Sequence, residues 1–198
     1  KNALDHNDAA YVDTQVVGID ASNGRFLPWW FRNEDGSLGL DKLVDVDDQK
    51  TLSTGVRASE YYLCSKETKK SCVIDPAPYK VGDKIVMLAS FIEPIMLNGA
   101  FQGIVGADLS VNFIQEMLLG ANQKLYSGAG EMALIGGNGR IVAYTKDPSK
   151  FGEKVSDILD SQQIANMANL KRGEVSYTVD KTQGLIELYL PFVIGQTV

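Results

Sequence analysis

The fold is decided by residues 85–109, which read IVMLASFIEPIMLNGAFQGIVGADL. Two apolar runs, Ile85–Ile95 and Phe101–Leu109, stand on either side of the pair Asn98-Gly99. Apolar runs of this length that are bounded by turn residues predict strands. Asn-Gly adopts the positive φ angles of a tight turn, so the two strands are expected to pair in antiparallel fashion. A long antiparallel hairpin is therefore expected in the first half of the chain.

Shorter apolar runs before and after this hairpin predict further strands. They are Ala10–Ile19, Phe26–Phe31, Met132–Ile135, Ile141–Thr145, Glu174–Val179 and Leu185–Val193. Two more Asn-Gly pairs, Asn23-Gly24 and Asn138-Gly139, fall between such runs and predict antiparallel pairing of the strands beside them.

Two helices are predicted among these strands. Ser110 can cap a helix over Val111–Leu119, which Gly120 would end. A second helix is expected over about Asp157–Leu170, before Lys171-Arg172-Gly173. Helices combined with antiparallel sheets predict an α+β fold.

The two halves of the chain resemble each other. Each has an apolar strand, a turn that ends in Asn-Gly-Arg and a second apolar strand, around residues 23–25 and 138–140. Each half later carries another antiparallel pair of strands. We interpret the sequence as two related lobes, residues 1–119 and 120–198, joined by the helix that begins near Ser110. Chance similarity between hairpins is the alternative interpretation.

The composition narrows the classes of function. Of the 198 residues, 44% are hydrophobic and 22% are charged, as in a globular domain. The formal net charge of −6 argues against nucleic acid as a partner, because phosphate binding needs a basic surface. A catalytic triad or a histidine-rich zinc site would have to use the single histidine, His6, which lies in a polar terminal stretch. A hydrolase that works with carboxylates alone remains as an alternative.

Two motifs do not fit the chemistry that they suggest. Residues 128–133, GAGEMA, match a dinucleotide fingerprint, but a helix is expected before them and a strand after them, the reverse of what the fingerprint needs. The acidic stretch 41–48, DKLVDVDD, lacks the central glycine and distal glutamate of an EF-hand loop, so we interpret it as a solvated loop or helix face. We expect neither a cofactor nor a metal.

Cys64 and Cys72 are the two cysteines of the sequence. They flank a polar segment between the apolar runs 61–63 and 73–74, which predicts that they face each other across the stem of a hairpin. A disulfide between them would imply an oxidising compartment. Two free cysteines on a cytosolic hairpin are the alternative.

Aromatic residues and one acid form a further pattern. Trp29-Trp30 follow Arg25, Tyr61 precedes the first cysteine, Tyr79 opens a strand, and Asp108 ends an apolar run. Aromatic faces with one carboxylate suit a small ammonium group, through cation–π attraction and a charged acceptor. An ordinary aromatic core with a helix-capping aspartate is the alternative.

Four segments in succession resemble the double-Cache domain, the extracytoplasmic sensor of bacterial methyl-accepting chemotaxis proteins that some histidine kinases and diguanylate cyclases share. They are residues 23–30 (NGRFLPWW), 60–63 (EYYL), 75–79 (DPAPY) and 103–110 (GIVGADLS). The resemblance continues into the second half of the chain. It implies two stacked PAS-like lobes, and the long N-terminal helix of such domains is missing from this sequence.

The resemblance also implies a function. The domain would lie in the periplasm, between two membrane helices of an inner-membrane receptor, and would bind a small ligand in the first, membrane-distal lobe. It would have no catalytic activity, and the full-length receptor would be a homodimer in the membrane. A histidine kinase or a diguanylate cyclase is the alternative to a chemoreceptor as the source of such a sensor.

The family's amino-acid-binding branch lines its pocket with a Trp-Tyr pair, a later Tyr and an Asp. The resemblance assigns these positions to Trp29, Trp30, Tyr79 and Asp108, with Asp108 accepting from the ligand's amine. The arginine that holds the ligand's carboxylate is replaced by Leu27, and Arg25 lies two residues before it.

The sequence around these positions is similar to that of receptors for amines and polyamines. We therefore predict an amine or polyamine ligand, and an α-amino acid is the alternative. Asp75 is a candidate for a second carboxylate near Tyr79. The predicted ligand site comprises Arg25, Trp29, Trp30, Tyr61, Asp75, Tyr79 and Asp108.

Overall fold

The computed structural model describes residues 6–33, 35–170, 173–182, 184–192 and 196–197. The chain divides into two compact units, Lys1–Ser110 and Val111–Val198. Both units combine antiparallel strands with helices, which confirms the predicted α+β class. The assignment of ligand binding to a lobe of residues 1–119, with 120–198 as the second lobe, stays a prediction.

Among the described residues, the first unit has eight regular elements besides a short 3₁₀ helix, Asp8–Tyr11. They are β1 (Ile19–Asp20), β2 (Arg25–Phe26), β3 (Pro28–Arg32), β4 (Leu38–Lys42), α1 (Glu60–Thr68), β5 (Cys72–Val81), β6 (Lys84–Leu97) and β7 (Ala100–Ser110). Strands β1 and β2 form one antiparallel pair and β3 and β4 form another. Strand β6 lies between β5 and β7 and pairs with both in antiparallel fashion.

The hairpin predicted over residues 85–109 is confirmed by β6 and β7. Asn98 and Gly99 form its turn, with φ angles of 49° and 78°. Two successive positive φ angles give the turn the twist that antiparallel strands need. The register runs from Leu97 opposite Ala100 to Leu88 opposite Ser110, with a bulge after Ile95.

The core of the first unit lies where α1 packs against the sheet of β5, β6 and β7. Ile74 and Ala77 of β5 are fully buried, and Ile92 of β6 is 5% exposed. Tyr61 and Cys64 of α1 belong to the same cluster. Helix α1 thus covers one face of the β5–β6–β7 sheet. This packing holds in place the sheet whose strand β7 carries Asp108.

The strand predicted over Ala10–Ile19 is wrong for most of its length. A 3₁₀ turn occupies its start, and regular strand structure begins only at Ile19. Val16 and Val17 are 57% and 58% exposed, so the apolar alternation here does not bury a face. Without burial, an apolar pattern gives no reason for strand pairing.

The predicted strand Phe26–Phe31 is divided at Leu27. The Leu27 N–H donates to Gly18 O, and the Leu27 carbonyl accepts from Leu43 N. The chain therefore changes its pairing partner at this residue. Strand β4, Leu38–Lys42, was not predicted, because Gly39 and Asp41 interrupt its apolar pattern.

The disulfide between Cys64 and Cys72 is present, with the two Cα atoms 6.3 Å apart. The hairpin predicted around it is wrong, because Cys64 lies in α1 and Cys72 begins β5. Helix α1 buries Tyr61, Cys64 and Ser65 on one face, a helical spacing that the short run 61–63 did not reveal. Lys69, in the left-handed conformation, ends the helix and turns the chain towards Cys72.

The second unit begins with α2, Val111–Tyr126, followed by β8 and β9 and then by α3, β10 and β11. These elements are β8 (Ala133–Ile135), β9 (Ile141–Tyr144), α3 (Ser161–Ala168), β10 (Ser176–Asp180) and β11 (Leu185–Tyr189), with 3₁₀ helices at Pro148–Lys150 and Val155–Asp157 and a short strand β12 at Gln196–Thr197. Strand β8 pairs with β9, and β10 pairs with β11. All three Asn-Gly pairs thus lie between antiparallel strands, as predicted.

The bounds of both helices differ from those predicted. Helix α2 continues through Gly120, because one glycine costs only about 1 kcal/mol in a helix. Helix α3 starts at Ser161, where Asp160 and Gln163 form a capping box. Helix α3 ends at Ala168, before the predicted end at Leu170. Lys171-Arg172 and the last residue of the predicted strand Leu185–Val193 lie outside the described residues.

The similar turns of the two halves also share their hydrogen bonds. Asn23 Oδ1 accepts from Arg25 N at 3.0 Å, and Asn138 Oδ1 accepts from Arg140 N at 3.0 Å. These bonds stabilise an Asn-Gly-Arg turn in each unit. Among the described residues, none of the helices combines the length and hydropathy that a membrane span requires.

Candidate functional site

The candidate site is centred on the carboxylate of Asp108, near the end of β7. Trp29 Nε1 donates to Asp108 Oδ2 at 3.0 Å, and Ser90 Oγ donates to Asp108 Oδ1 at 2.6 Å. The two oxygens are therefore held by different donors. Asp108 itself is exposed, so the remaining lone pairs of the carboxylate face solvent or a ligand.

Strand register explains why Ser90 and Asp108 meet. The two residues lie directly opposite each other in β6 and β7. Side chains of opposite residues share a face of the sheet and lie close together. On the other edge of β6, Ser90 is paired with Ile74 of β5. Ile74, Ser90 and Asp108 therefore lie side by side across the three strands, from the buried core to the site.

Trp29 of β3 contacts Asp108 at the site, whereas its neighbour Trp30 lies on the other face of the strand. Because side chains alternate along a strand, Trp29 and Trp30 lie on opposite faces of β3. Trp30 is 61% exposed and pairs with Leu40. Asp41 lies directly opposite Trp29 in β4 and so shares its face. The position of Trp30 thus gives no support to the contact predicted for it.

Two tyrosines lie near the same carboxylate. The rings of Tyr61 and Tyr79 meet edge to face, with centroids 5.9 Å apart. Burial raises the pKa of Tyr61 to about 12, and the negative charges of Asp108 and Asp45 add to the rise. Burial also raises the pKa of Tyr79, together with Tyr61 and Asp108. Both phenols therefore stay protonated at neutral pH.

The hydroxyl of Tyr79 differs from the other polar groups of the site in its hydrogen bonding. Its oxygen is buried and makes no hydrogen bond within the described residues. A buried hydroxyl without a partner costs free energy that a hydrogen-bonding ligand or water would recover. The Tyr79 hydroxyl is thus a buried polar group with no hydrogen-bond partner among the described residues.

Asp75 lies elsewhere on β5. It is 6% exposed and sits at the bulge between Ile74 and Ala77. Its burial sets it apart from Asp108, which is exposed. The role of Asp75 in the ligand site stays a prediction.

Arg25 is engaged away from Asp108. Its Nη1 lies 3.1 Å from Asp47 Oδ2, and its guanidinium lies over the ring of Tyr62 at 5.4 Å from the centroid. Asp47 also binds Lys66, and the two cations lower the pKa of Asp47. Arg25 and Asp47 line an open, acidic cleft of about 480 Å³ together with Asp20, Ser22, Asn23, Leu27, Asp45, Val46 and Asp48.

The structure therefore brings together Trp29, Tyr61, Tyr79 and Asp108 of the predicted site. The sequence analysis missed Ser90, which has no signal of its own inside an apolar run, and Asp41, which belongs to the strand that was not predicted. Within the described residues, no group of three or more His, Cys, Asp or Glu side chains is arranged to hold a metal ion.

Solved structures that are similar to this fold include sensor domains. The extracellular domain of mmHK1S-Z3, described as a histidine kinase, has a TM-score of 0.65 and 25% identity, over 94% of this chain and 62% of that one. A structure named methyl-accepting chemotaxis protein X has a TM-score of 0.62 and 19% identity, over 89% of this chain and 58% of that one, and supports the fold alone. The chain has the fold of a Cache-type extracellular sensor domain, as the resemblance implied.

Among curated proteins, the chain is similar to the methyl-accepting chemotaxis protein TlpQ of Pseudomonas aeruginosa. The two are 28% identical over 171 residues, which cover 85% of this chain and 24% of TlpQ. The chain thus spans about a quarter of that relative's length. No family model matches the sequence. The predicted resemblance to chemoreceptor sensor domains is confirmed by these similarities.

Proposed function

We propose that this chain is the ligand-binding sensor domain of a chemoreceptor and that it binds a small amine at Asp108. The observation that carries the proposal is the hydrogen-bonded carboxylate of Asp108, which Trp29 and Ser90 hold while it stays exposed. A fixed carboxylate is the natural acceptor for an ammonium group, since charge-assisted hydrogen bonds are about twice as strong as neutral ones.

The surroundings of Asp108 also favour a cation. The rings of Trp29, Tyr61 and Tyr79 lie near Asp108, and a cation over a ring face gains about 0.5–2 kcal/mol through cation–π attraction. Asp41 adds a second negative charge on the face of β3–β4 that carries Trp29. A diamine would satisfy both carboxylates, whereas a monoamine would satisfy one.

The same residues argue against an α-amino acid. Leu27, at the position of the family's carboxylate-binding arginine, packs against the hydrophobic core. Arg25 is paired with Asp47 and stacked on Tyr62. A ligand carboxylate would therefore face Asp108 and Asp41 without a free cation among these residues, and burying an unpaired charge costs several kcal/mol.

The rest of the proposal concerns the whole receptor. The domain would lie in the periplasm as part of a homodimeric inner-membrane protein and would have no catalytic activity of its own. Its similarity to TlpQ and to an extracellular histidine-kinase domain supports this location. A ligand signals only through differential affinity for two states of the receptor, and Asp108 would supply that affinity in the first lobe.

Isothermal titration calorimetry with putrescine tests the proposal. The unaltered chain is expected to bind, and Asp108→Asn should lose at least 100-fold in affinity, because the amide has no charge for the ammonium. Asp147→Asn is the matched control, since it removes an equal charge from a partly exposed position in the second unit. Equal affinities of Asp108→Asn and the unaltered chain would overturn the assignment of the site.

A further inference from the structure

Ser90 is a polar residue in an apolar part of the fold. It lies in the middle of β6 and is 2% exposed, with Ile74 opposite it in β5. Burying a hydroxyl without a hydrogen bond is costly. In this chain the hydroxyl has one described partner, Asp108 Oδ1, at 2.6 Å. The buried hydroxyl of Ser90 therefore donates its hydrogen bond to an exposed residue, Asp108.

We propose that Ser90 is a positioning residue, which fixes the orientation of the Asp108 carboxylate for an incoming ammonium group. This inference rests on the proposed function. Trp29 holds Oδ2 from β3, and Ser90 holds Oδ1 from β6, so the plane of the carboxylate is defined by two donors on different strands. Each oxygen keeps a lone pair for the ligand, because a carboxylate has about four acceptor sites.

The two donors to Asp108 differ in how firmly the surrounding structure holds them. Trp29 belongs to the two-stranded β3–β4 hairpin and is partly exposed, so fewer neighbours hold its indole in place. Ser90 lies in β6, which is paired on both sides, and is buried, so its position is fixed by the core. Without Ser90, Asp108 would keep one donor and regain rotational freedom, which an amine would have to remove on binding.

Three variants separate this role from a general contribution to stability. Ser90→Ala removes the hydroxyl, and Ser90→Thr retains it. Ser65→Ala is the matched control: Ser65 is equally buried, and its hydroxyl donates to the Lys70 carbonyl at 3.0 Å, away from Asp108. In calorimetry with putrescine, Ser90→Ala is expected to lose about tenfold in affinity, while Ser90→Thr and Ser65→Ala stay within about threefold of the unaltered chain.

The emission of Trp29 gives a second readout that needs no ligand. The sequence has two tryptophans, so Trp30→Phe leaves Trp29 as the one tryptophan, which is excited selectively at wavelengths that tyrosine does not absorb. If Ser90 orients Asp108, Ser90→Ala in this background changes the partner of the Trp29 indole and shifts its emission, whereas Ser65→Ala does not. An unshifted spectrum, or an equal shift with Ser65→Ala, would overturn the inference.

The two readouts keep this inference distinct from the proposed function. An unaltered chain that does not bind putrescine contradicts the amine assignment, and the Trp29 emission then still decides whether Ser90 positions Asp108. If putrescine binds, unchanged affinity in Ser90→Ala overturns the positioning role and leaves the amine assignment standing. A tenfold loss that Ser90→Thr restores supports both.

Discussion

Trp29 and Asp108 lie 79 residues apart in the sequence and are joined by a hydrogen bond of 3.0 Å from the indole Nε1 to Oδ2. The bond links the β3–β4 hairpin to the last strand of the β5–β6–β7 sheet. It brings an aromatic face to the carboxylate that we propose as the ammonium acceptor. The two tryptophans should therefore differ in their importance for binding.

Replacing Trp29 should weaken amine binding more than replacing Trp30. Trp29→Phe removes the indole N–H that holds Asp108, so the affinity for putrescine should fall at least tenfold, or about 1.4 kcal/mol. Trp30→Phe is the matched control on the opposite face and should change the affinity less than threefold. Calorimetry on both variants measures the difference, and the reverse ranking would show that the site lies on the other face of β3.

Asp41 should determine preference for diamines. Because Asp41 shares a face with Trp29, Asp41→Asn should reduce the affinity for putrescine about tenfold and change that for butylamine by less than threefold. Competition titrations with the two amines give the ratio directly. A parallel loss for both ligands would mean that Asp41 acts through the general charge of the domain.

The disulfide should stabilise the first unit. Cys64 and Cys72 are 8 residues apart, and the chain-entropy estimate for so short a loop is roughly 2–3 kcal/mol. Denaturant unfolding of the double variant Cys64→Ala, Cys72→Ala should show a loss of that size relative to the unaltered chain. Thiol titration of unreduced, unfolded protein should find no free thiol, and two free thiols would contradict the bridge.

Stability at high pH should fall as Tyr61 ionises in the unfolded chain. Its pKa rises from 10.0 to about 12 on folding, chiefly through burial, so the folded state keeps the proton that the unfolded state loses. The contribution is fully present below pH 10 and is lost as the pH rises towards 12. In denaturant titrations, Tyr61→Phe should have a shallower decline over this range, while Tyr177→Phe, at an exposed position, should follow the unaltered chain.

The sequence could predict those elements whose formation depends on residues that are close together in the chain. Residues 85–109 contain both strands of a hairpin and its turn, so their pairing follows from local patterns. The short run 61–63 could not be assigned in the same way, because three apolar residues fit a strand and a buried helix face equally well. The helix became evident only through its packing against β5 and β6.

The register of the site was harder to predict than the hairpin itself. Counting from the turn, where Leu97 faces Ala100, would place Ser90 opposite Ala107. The bulge between Ile95 and Met96 shifts the pairing by one residue and places Ser90 opposite Asp108. A shift of one residue moves a side chain to the other face of a strand, and no residue pattern in this hairpin indicates the bulge.

The central claim, an amine bound at Asp108, is tested most directly by calorimetry against a matched set of ligands. Putrescine and histamine represent the amines, and alanine and arginine represent the α-amino acids. We expect the unaltered chain to bind at least one of the two amines at least tenfold more tightly than either amino acid, and Asp108→Asn to abolish that preference. Tight binding of alanine with no measurable binding of either amine would contradict the account and would require Arg25 to leave Asp47 for the ligand's carboxylate.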